Sequence, residues 1–281
     1  MNVATRPQSY AEIREGLGKA LTFHASFDNG PDADFALGDR RLYHGEFPLY
    51  ADPKVEPMLE QGLGNPPLAI AKGLGKFGSA LAFSRENSRV VCFKADENVA
   101  YSSGMFRGSA SFWINTDPAA IPQHYADPFQ ITDKDYNNDC IWVDFTKNDT
   151  PPDFRLGVFG DQSVWDKKNL HNLSEEFFWR LLKVPEPPFT PGTWTHVVIV
   201  WDGINTSQGG RAAMYLNAVH RGKTGVIRER FNWDIAKATV RLGTGPFVGM
   251  IDDLALFNRP LGIDEVGTLY RGEGGVADLY R

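Results

Sequence analysis

The chain has 281 residues and a formal net charge of −6, with 28 glycines, 18 prolines and 12% aromatic residues. That length suits one all-β domain and lets the chain bury roughly three quarters of its unfolded surface without staples. The acidic balance, with no basic run, excludes non-specific nucleic-acid binding, and the lack of any run of ~18 apolar residues excludes a membrane-spanning helix.

Residues 1–19 lack the apolar stretch of a signal peptide, so either the chain stays in the cytoplasm or its export signal is not part of this sequence. Ser9 can cap a helix over residues 10–19. Residues 21–27 then alternate, with Leu21, Phe23, Ala25 and Phe27 on one side and Thr22, His24 and Ser26 on the other. This predicts a strand with one buried face. Residues 28–76 are rich in Gly, Pro and Asp and read as a long loop with room for short strands. Dense strand signals follow at 79–84, 89–94, 109–115, 127–132, 139–145 and 154–159. A further strand at 162–165 is expected across the hairpin-like step Gly160-Asp161. Residues 173–183 are ambiguous: Ser174, Glu175 and Glu176 could start a helix, whereas Phe177, Trp179 and Leu181 alternate. Strands at 193–202, 211–217, 219–226, 239–242 and 247–258 complete the set, and 263–270 reads as a closing helix. About a dozen strands without βαβ alternation mean an all-β antiparallel sandwich or barrel.

Cys92 and Cys140 both sit in apolar strand-like runs. Buried free thiols and a single disulfide both fit; a zinc site does not. Three Asn-x-Ser/Thr sequons, at Asn148, Asn172 and Asn205, matter only in a eukaryotic secretory setting.

Four segments, in order, resemble one family. Ser111-Phe112-Trp113-Ile114 is similar to the SFW-aliphatic strand of laminin G-like, concanavalin A-like jelly rolls. Gly192-Thr193-Trp194-Thr195-His196-Val197 with Trp201-Asp202-Gly203 resembles their GxWTHVAVxxDG strand and turn. Met214-Tyr215-Leu216-Asn217 resembles the LYVDG hairpin, and residues 249–261, GMIDDLALFNRPL, resemble the closing GxIDDVRIYNRAL strand. Gly262-Ile263-Asp264-Glu265-Val266 continues as the family's short helix does. The resemblance runs over residues 20–272. It leaves 1–19 as a helical extension and 273–281 as a tail, and implies a two-sheet antiparallel β-sandwich (jelly roll) with short terminal helices, acting outside the cell or in the periplasm. Two departures stand out. Asn217-Ala218 replaces the usual Asp-Gly, and the insertions at 28–76 and 117–127 are long enough to reshape the usual site. Because such folds host many functions, the ligand must be argued from the site.

Three constellations could carry chemistry. Related jelly rolls pin their first strand to their last with calcium, and the matching residues here are Asp28 and Asp252. Alternatively, Asp28 caps its own turn while Asp252 faces solvent. The run Asp133-x-Asp135-x-Asn137-x-Asp139 matches the opening of an EF-hand loop. Asn138 stands where that loop needs Gly and no flanking helices are evident, so a polar hairpin turn is expected. Finally, period-two alternation turns Trp113, Asn115, Trp142, Asp144, Arg155, His196 and Tyr215 away from the core. Aromatic rings with a few polar groups suit a carbohydrate ligand; the alternative is a second, minor core beneath the loops.

The Glu-x-Asp-x-(x)-Glu strand of glucanases is absent, and Asp144 has no same-face acid at 142 or 146. The expectation is a non-catalytic carbohydrate-binding module. A protein-interaction or scaffolding module is the alternative, and after it a polysaccharide-degrading enzyme, as a glycosidase or as a lyase using His196, Tyr215 and Arg155.

Overall fold

The computed structural model describes residues 8–46, 58–64, 67–87, 89–121 and 124–280. In chain order the first elements are α1 (Tyr10–Ala20), β1 (Leu21–Ala25), β2 (Phe35–Ala36), β3 (Tyr43–Glu46), β4 (Met58–Gln61), β5 (Leu68–Ala71), β6 (Ala80–Phe83), β7 (Val90–Lys94) and β8 (Phe106–Asn115). Then come β9 (Ala126–Asp135), β10 (Asn138–Phe145), β11 (Phe154–Phe159), α2 (Gln162–Trp165), α3 (Glu175–Trp179) and β12 (Leu181–Val184). The chain closes with β13 (Trp194–Ile204), β14 (Arg211–Leu216), β15 (Val219–Lys223), β16 (Thr239–Thr244), β17 (Gly249–Phe257) and α4 (Ile263–Arg271).

The strands form two antiparallel sheets. One runs β15-β14-β13-β8-β17-β1-β2, with β5 and β6 beside the start of β17; the other runs β12-β11-β10-β9-β16-β7-β3-β4. The expected two-sheet sandwich is therefore present. Alternation builds its core: Ala110, Phe112 and Ile114 of β8 face Phe129 and Ile131 of β9 and Ile141, Val143 and Phe145 of β10 in one buried cluster. Phe112 and Phe129 stack at 4.9 Å, tying one sheet to the other. Each such buried ring contributes roughly 1.5–3 kcal/mol.

Ser9 does cap α1. Its hydroxyl accepts from Glu12 N at 3.3 Å, while the Glu12 carboxylate accepts from Ser9 N at 2.7 Å. Ile13, Leu17 and Ala20 then form a buried stripe. They pack with Val266 and Leu269 of α4 onto Val198, Ala255 and Phe257, on the outer side of the nine-stranded sheet. Arg259 locks the two helices, donating to Gly16 O at 3.0 Å and to Glu265 at 2.6 Å.

Contacts with Asn98, Asp253, Tyr280 and Asp34 correct the expectation for β1. Thr22, His24 and Ser26 are buried along with Phe23, Ala25 and Phe27, so the strand is buried on both faces. Two other segments differ from the sequence reading. Residues 162–165 are helical because Asp161 caps them, accepting from Ser163 N at 2.9 Å, and the turn sends Trp165 inward. Residues 173–183 are both things in succession: Ser174 caps α3, and β12 begins at Leu181. In the Asn217-Ala218 turn both residues take left-handed φ, 51° and 62°, which suits Asn217 but strains Ala218 where the usual Gly would be free. Cys92 and Cys140 are buried free thiols, on strands separated by β9 and β16.

Candidate functional site

Every sequence-selected aromatic and polar residue lies on an outward side, but the set divides between two opposite faces of the sandwich. Trp113, Asn115, His196 and Tyr215 belong to β8, β13 and β14; Trp142, Asp144 and Arg155 belong to β10 and β11 of the other sheet. The seven residues therefore form no single surface, a correction to the combined constellation.

On the nine-stranded sheet the outward residues are roofed. Trp113 and His196 stack at 4.7 Å, and Tyr270 of α4 lies over both, at 5.8 and 6.0 Å. The Lys76 ammonium sits 4.6 Å from the Trp113 ring. His196 Nε2 meets Ser111 Oγ at 2.8 Å, while its Nδ1 is buried without a partner. Burial, with Lys76 nearby, pushes the imidazole down to about 3, so it is neutral. Tyr215 is half-buried in the α1–α4 cluster. Asn115 pairs through its backbone with Trp194 and Met250. Here the minor-core alternative holds.

The eight-stranded sheet is different. Arg155 and Asp144 are cross-strand partners. Arg155 Nε donates to Asp144 Oδ1 at 2.8 Å and Nη2 donates to Oδ2, a bidentate pair. The guanidinium lies 4.9 Å from the Tyr125 ring and 5.3 Å from that of Trp142. Trp142 itself is buried with Phe159 of β11 and with Trp165 and Phe177 of residues 161–180, an insertion between β11 and β12. Between this insertion and the β10–β11 turn opens a cleft of about 330 Å³, lined by Tyr125, Thr146, Lys147, Asp149, Arg155, Phe178, Leu181 and Lys183. Phe178 is 61% exposed at its rim.

A bulge sharpens the electrostatics beside the cleft. Val143 pairs with Phe129 and Phe145 with Ala126, so Asp127 and Pro128 together oppose Asp144. Burial and the Asp144 charge hold the Asp127 carboxyl well above the usual range. Burial also raises Asp144, partly offset by Arg155. Sequence reasoning found Arg155 and its partner but missed Tyr125, Lys147, Phe178 and Lys183. Three of these lie in segments the sequence did flag: Tyr125 in the 117–127 insertion, and Phe178 and Lys183 in the ambiguous 173–183 stretch.

Asp28 and Asp252 converge on one loop, residues 75–79. Asp28 Oδ1 accepts from Ser79 N at 2.7 Å, and Asp252 Oδ2 from Phe77 N at 3.0 Å. Asp252 is 1% exposed, against the solvent-facing alternative, and burial pushes it up to about 7. Among the described residues no group of three His, Cys, Asp or Glu side chains is arranged for a metal. The Asp133–Asp139 run is the β9–β10 turn, without flanking helices, as the hairpin reading expected.

Residues 89–267 match the family model described as the concanavalin A-like lectin/glucanases superfamily, of laminin G type. The chain belongs to this superfamily. Among solved structures, it resembles domain 4 of an extracellular arabinanase from Geobacillus stearothermophilus, solved in complex with arabinotriose. Identity is 19% and the TM-score 0.55, over 90% of this chain and 98% of that one. It also resembles the botulinum neurotoxin serotype D ligand-binding domain in complex with N-acetylneuraminic acid, at 11% identity and a TM-score of 0.55, over 93% of this chain. The superfamily member spans about half, 53%, of that toxin structure. At these identities the likeness shows the fold. No curated protein matches the chain. No helix among the described residues is long and apolar enough to cross a membrane.

Proposed function

We propose that this chain is a non-catalytic glycan-binding module, working outside the cell or in the periplasm, whose ligand lies in the cleft over Arg155. The observation that carries this reading is the cleft itself: Tyr125 lies against a guanidinium already oriented by Asp144, and Phe178, Lys147, Lys183, Thr146 and Asp149 complete the lining. Rings pack against the C–H face of a sugar while the polar groups meet its hydroxyls. That two similar structures carry arabinotriose and N-acetylneuraminic acid supports the ligand class. The non-catalytic part rests on Asp144, the buried carboxylate behind Arg155, whose two oxygens are both taken by that guanidinium. A glycan array including arabino-oligosaccharides and sialosides tests the reading. Binding that disappears in Tyr125→Ala is expected; a silent array sinks it, and product release from a polysaccharide panel would move the chain to the enzymes.

A second reading, a protein-interaction module, draws on Val164, Leu170, Leu173, Phe178 and Trp179, five large apolar side chains exposed within one short insertion. Pull-down of a protein partner that is lost in Leu173→Glu, together with a silent array, would favour it.

We further propose calcium at Asp28 and Asp252, completed by backbone carbonyls. The residues fit in one respect: Asp252 is a buried carboxylate whose hydrogen-bond partners are backbone amides, a setting that a bound cation would relieve. Chelation should then lower the melting temperature of the wild type and have a smaller effect on Asp252→Asn. No change with excess EDTA ends the idea.

A further inference from the structure

The wall of the cleft turns its acids inward and its cations outward. Asp144 and Asp153 are buried, and each is held by a cation, Asp144 by Arg155 and Asp153 by Lys183. The two cations reach the lining of the cleft, whereas the two acids do not. Asp149 is the carboxylate in that lining, and it accepts from Thr146 Oγ1 at 2.5 Å. Thr146 also closes the β10–β11 connection: its N donates to Asp153 O at 3.0 Å, and its hydroxyl accepts from Asp153 N at 2.9 Å. That closure stands Lys147 just beyond the end of β10.

Two of the cations keep donors to spare. Arg155 spends Nε and Nη2 on Asp144, and its Nη1 donates to no group among the described residues. Lys147 is exposed and forms no ion pair among the described residues. Its ammonium lies 5.2 Å from the centre of the Tyr125 ring, and the Arg155 guanidinium lies 4.9 Å from the same centre. One ring therefore gathers both cations at one place in the cleft. Sugar hydroxyls are neutral acceptors, and a hydrogen bond to an ionised oxygen is roughly twice as strong as one between neutral groups. The planar guanidinium and the point charge of an ammonium both suit an oxyanion. The cleft, about 330 Å³, lies near the small end of ligand sites, which run from about 300 to 1,000 Å³. That favours the end of an oligosaccharide over a long stretch of chain.

We infer that the cleft selects an acidic sugar, one bearing a carboxylate or a sulfate ester, whose oxyanion is bound by Arg155 Nη1 together with the Lys147 ammonium. The inference rests on the glycan-binding reading of the same cleft and names the ligand class within it.

Matched probes test it by calorimetric titration: oligosaccharides ending in glucuronate or galacturonate, their carboxyl-reduced neutral forms, and the same neutral forms carrying a sulfate ester. The expected result is a preference of roughly tenfold or more for an acidic form over its neutral counterpart. Added salt should weaken it, because Lys147 is exposed. Lys147→Met should lose most of the preference, and Lys147→Arg should keep it. Both variants alter an exposed side chain, so folding is not at stake. Preference for the carboxylate or for the sulfate form supports the inference equally and identifies the oxyanion. It is overturned if neutral forms bind as tightly as acidic ones, or if the preference persists in Lys147→Met. Neutral binding that disappears in Tyr125→Ala would leave the glycan-binding reading standing without it, whereas a silent glycan array removes that reading and this inference together.

Discussion

The two outer faces of the sandwich carry similar side chains and have opposite fates. On the nine-stranded sheet, Trp113 and His196 stack and then vanish beneath Tyr270 and Lys76, with α1 and α4 covering the rest of that face. On the eight-stranded sheet the 161–180 insertion covers Trp142 while Arg155 lines an open cleft. Alternation decides which side of a strand a residue takes; what packs over that side decides whether it becomes core or contact surface. An outward tryptophan in a sandwich is therefore a question about its roof.

The contrast breaks most sharply at Trp113. It is 2% exposed, and truncation leaves a large cavity under Tyr270. Trp113→Ala should destabilise the fold by about 3–5 kcal/mol, read by chemical denaturation, while the protein that remains folded keeps its glycan affinity. Wild-type stability with lost binding would reverse the assignment of the two faces. Next comes Arg155→Ala, which strands Asp144 as an uncompensated buried carboxylate. A loss of about 3 kcal/mol is expected, at the low end for broken buried pairs because Arg155 borders the cleft. Unlike Trp113→Ala, it should also abolish binding. Arg155→Lys, which keeps the charge but not the fork, should recover stability more than affinity.

How much of this was legible beforehand follows from what fixes each feature. Strand alternation is local, so the inward set of β8, β10 and β13 could be read from period two alone, and the four family-like segments gave their order. Gln162–Trp165 could not be read that way: four residues suit a strand or a helical turn equally, and the Asp161 cap with a buried Trp165 decided it. Which sheet each strand joins is a long-range fact. Trp113 and Trp142 look alike in sequence, yet they stand on opposite faces because β8 pairs with β13 and β17 while β10 pairs with β9 and β11. Phe178 and Tyr125 escaped notice for the same reason, as each lies outside the regular strands and meets the cleft only after folding.

A smaller effect separates the faces by pH. His196 is neutral when folded, with its pKa depressed to about 3 from an ordinary 6.5. Between those values the unfolded chain binds more protons, so this residue makes stability rise with pH and fall as the solution is acidified below about 6.5. His196→Phe keeps a ring in the Trp113–Tyr270 stack and removes the titration. Denaturation midpoints across pH 4 to 7, a range chosen from roughly the ordinary histidine pKa downward, should then depend less on pH in the variant. An unchanged slope would mean that other groups carry the acid response.

The smallest expected change in stability is at Phe178, and it is the most informative about the open face. The ring is 61% exposed and makes one edge-on contact, 5.6 Å from Phe177. Its removal uncovers no core, so Phe178→Ala should alter stability by no more than about 0.5 kcal/mol. A ring that packs on a sugar contributes about 1 kcal/mol, so affinity for the array-identified glycan should fall roughly fivefold. That pairing, small in stability and clear in binding, is the mirror image of Trp113→Ala. If Phe178→Ala binds as wild type while Tyr125→Ala does not, the ligand lies against the β8–β9 connection alone. The exposed apolar residues of the insertion are then left to serve a protein partner.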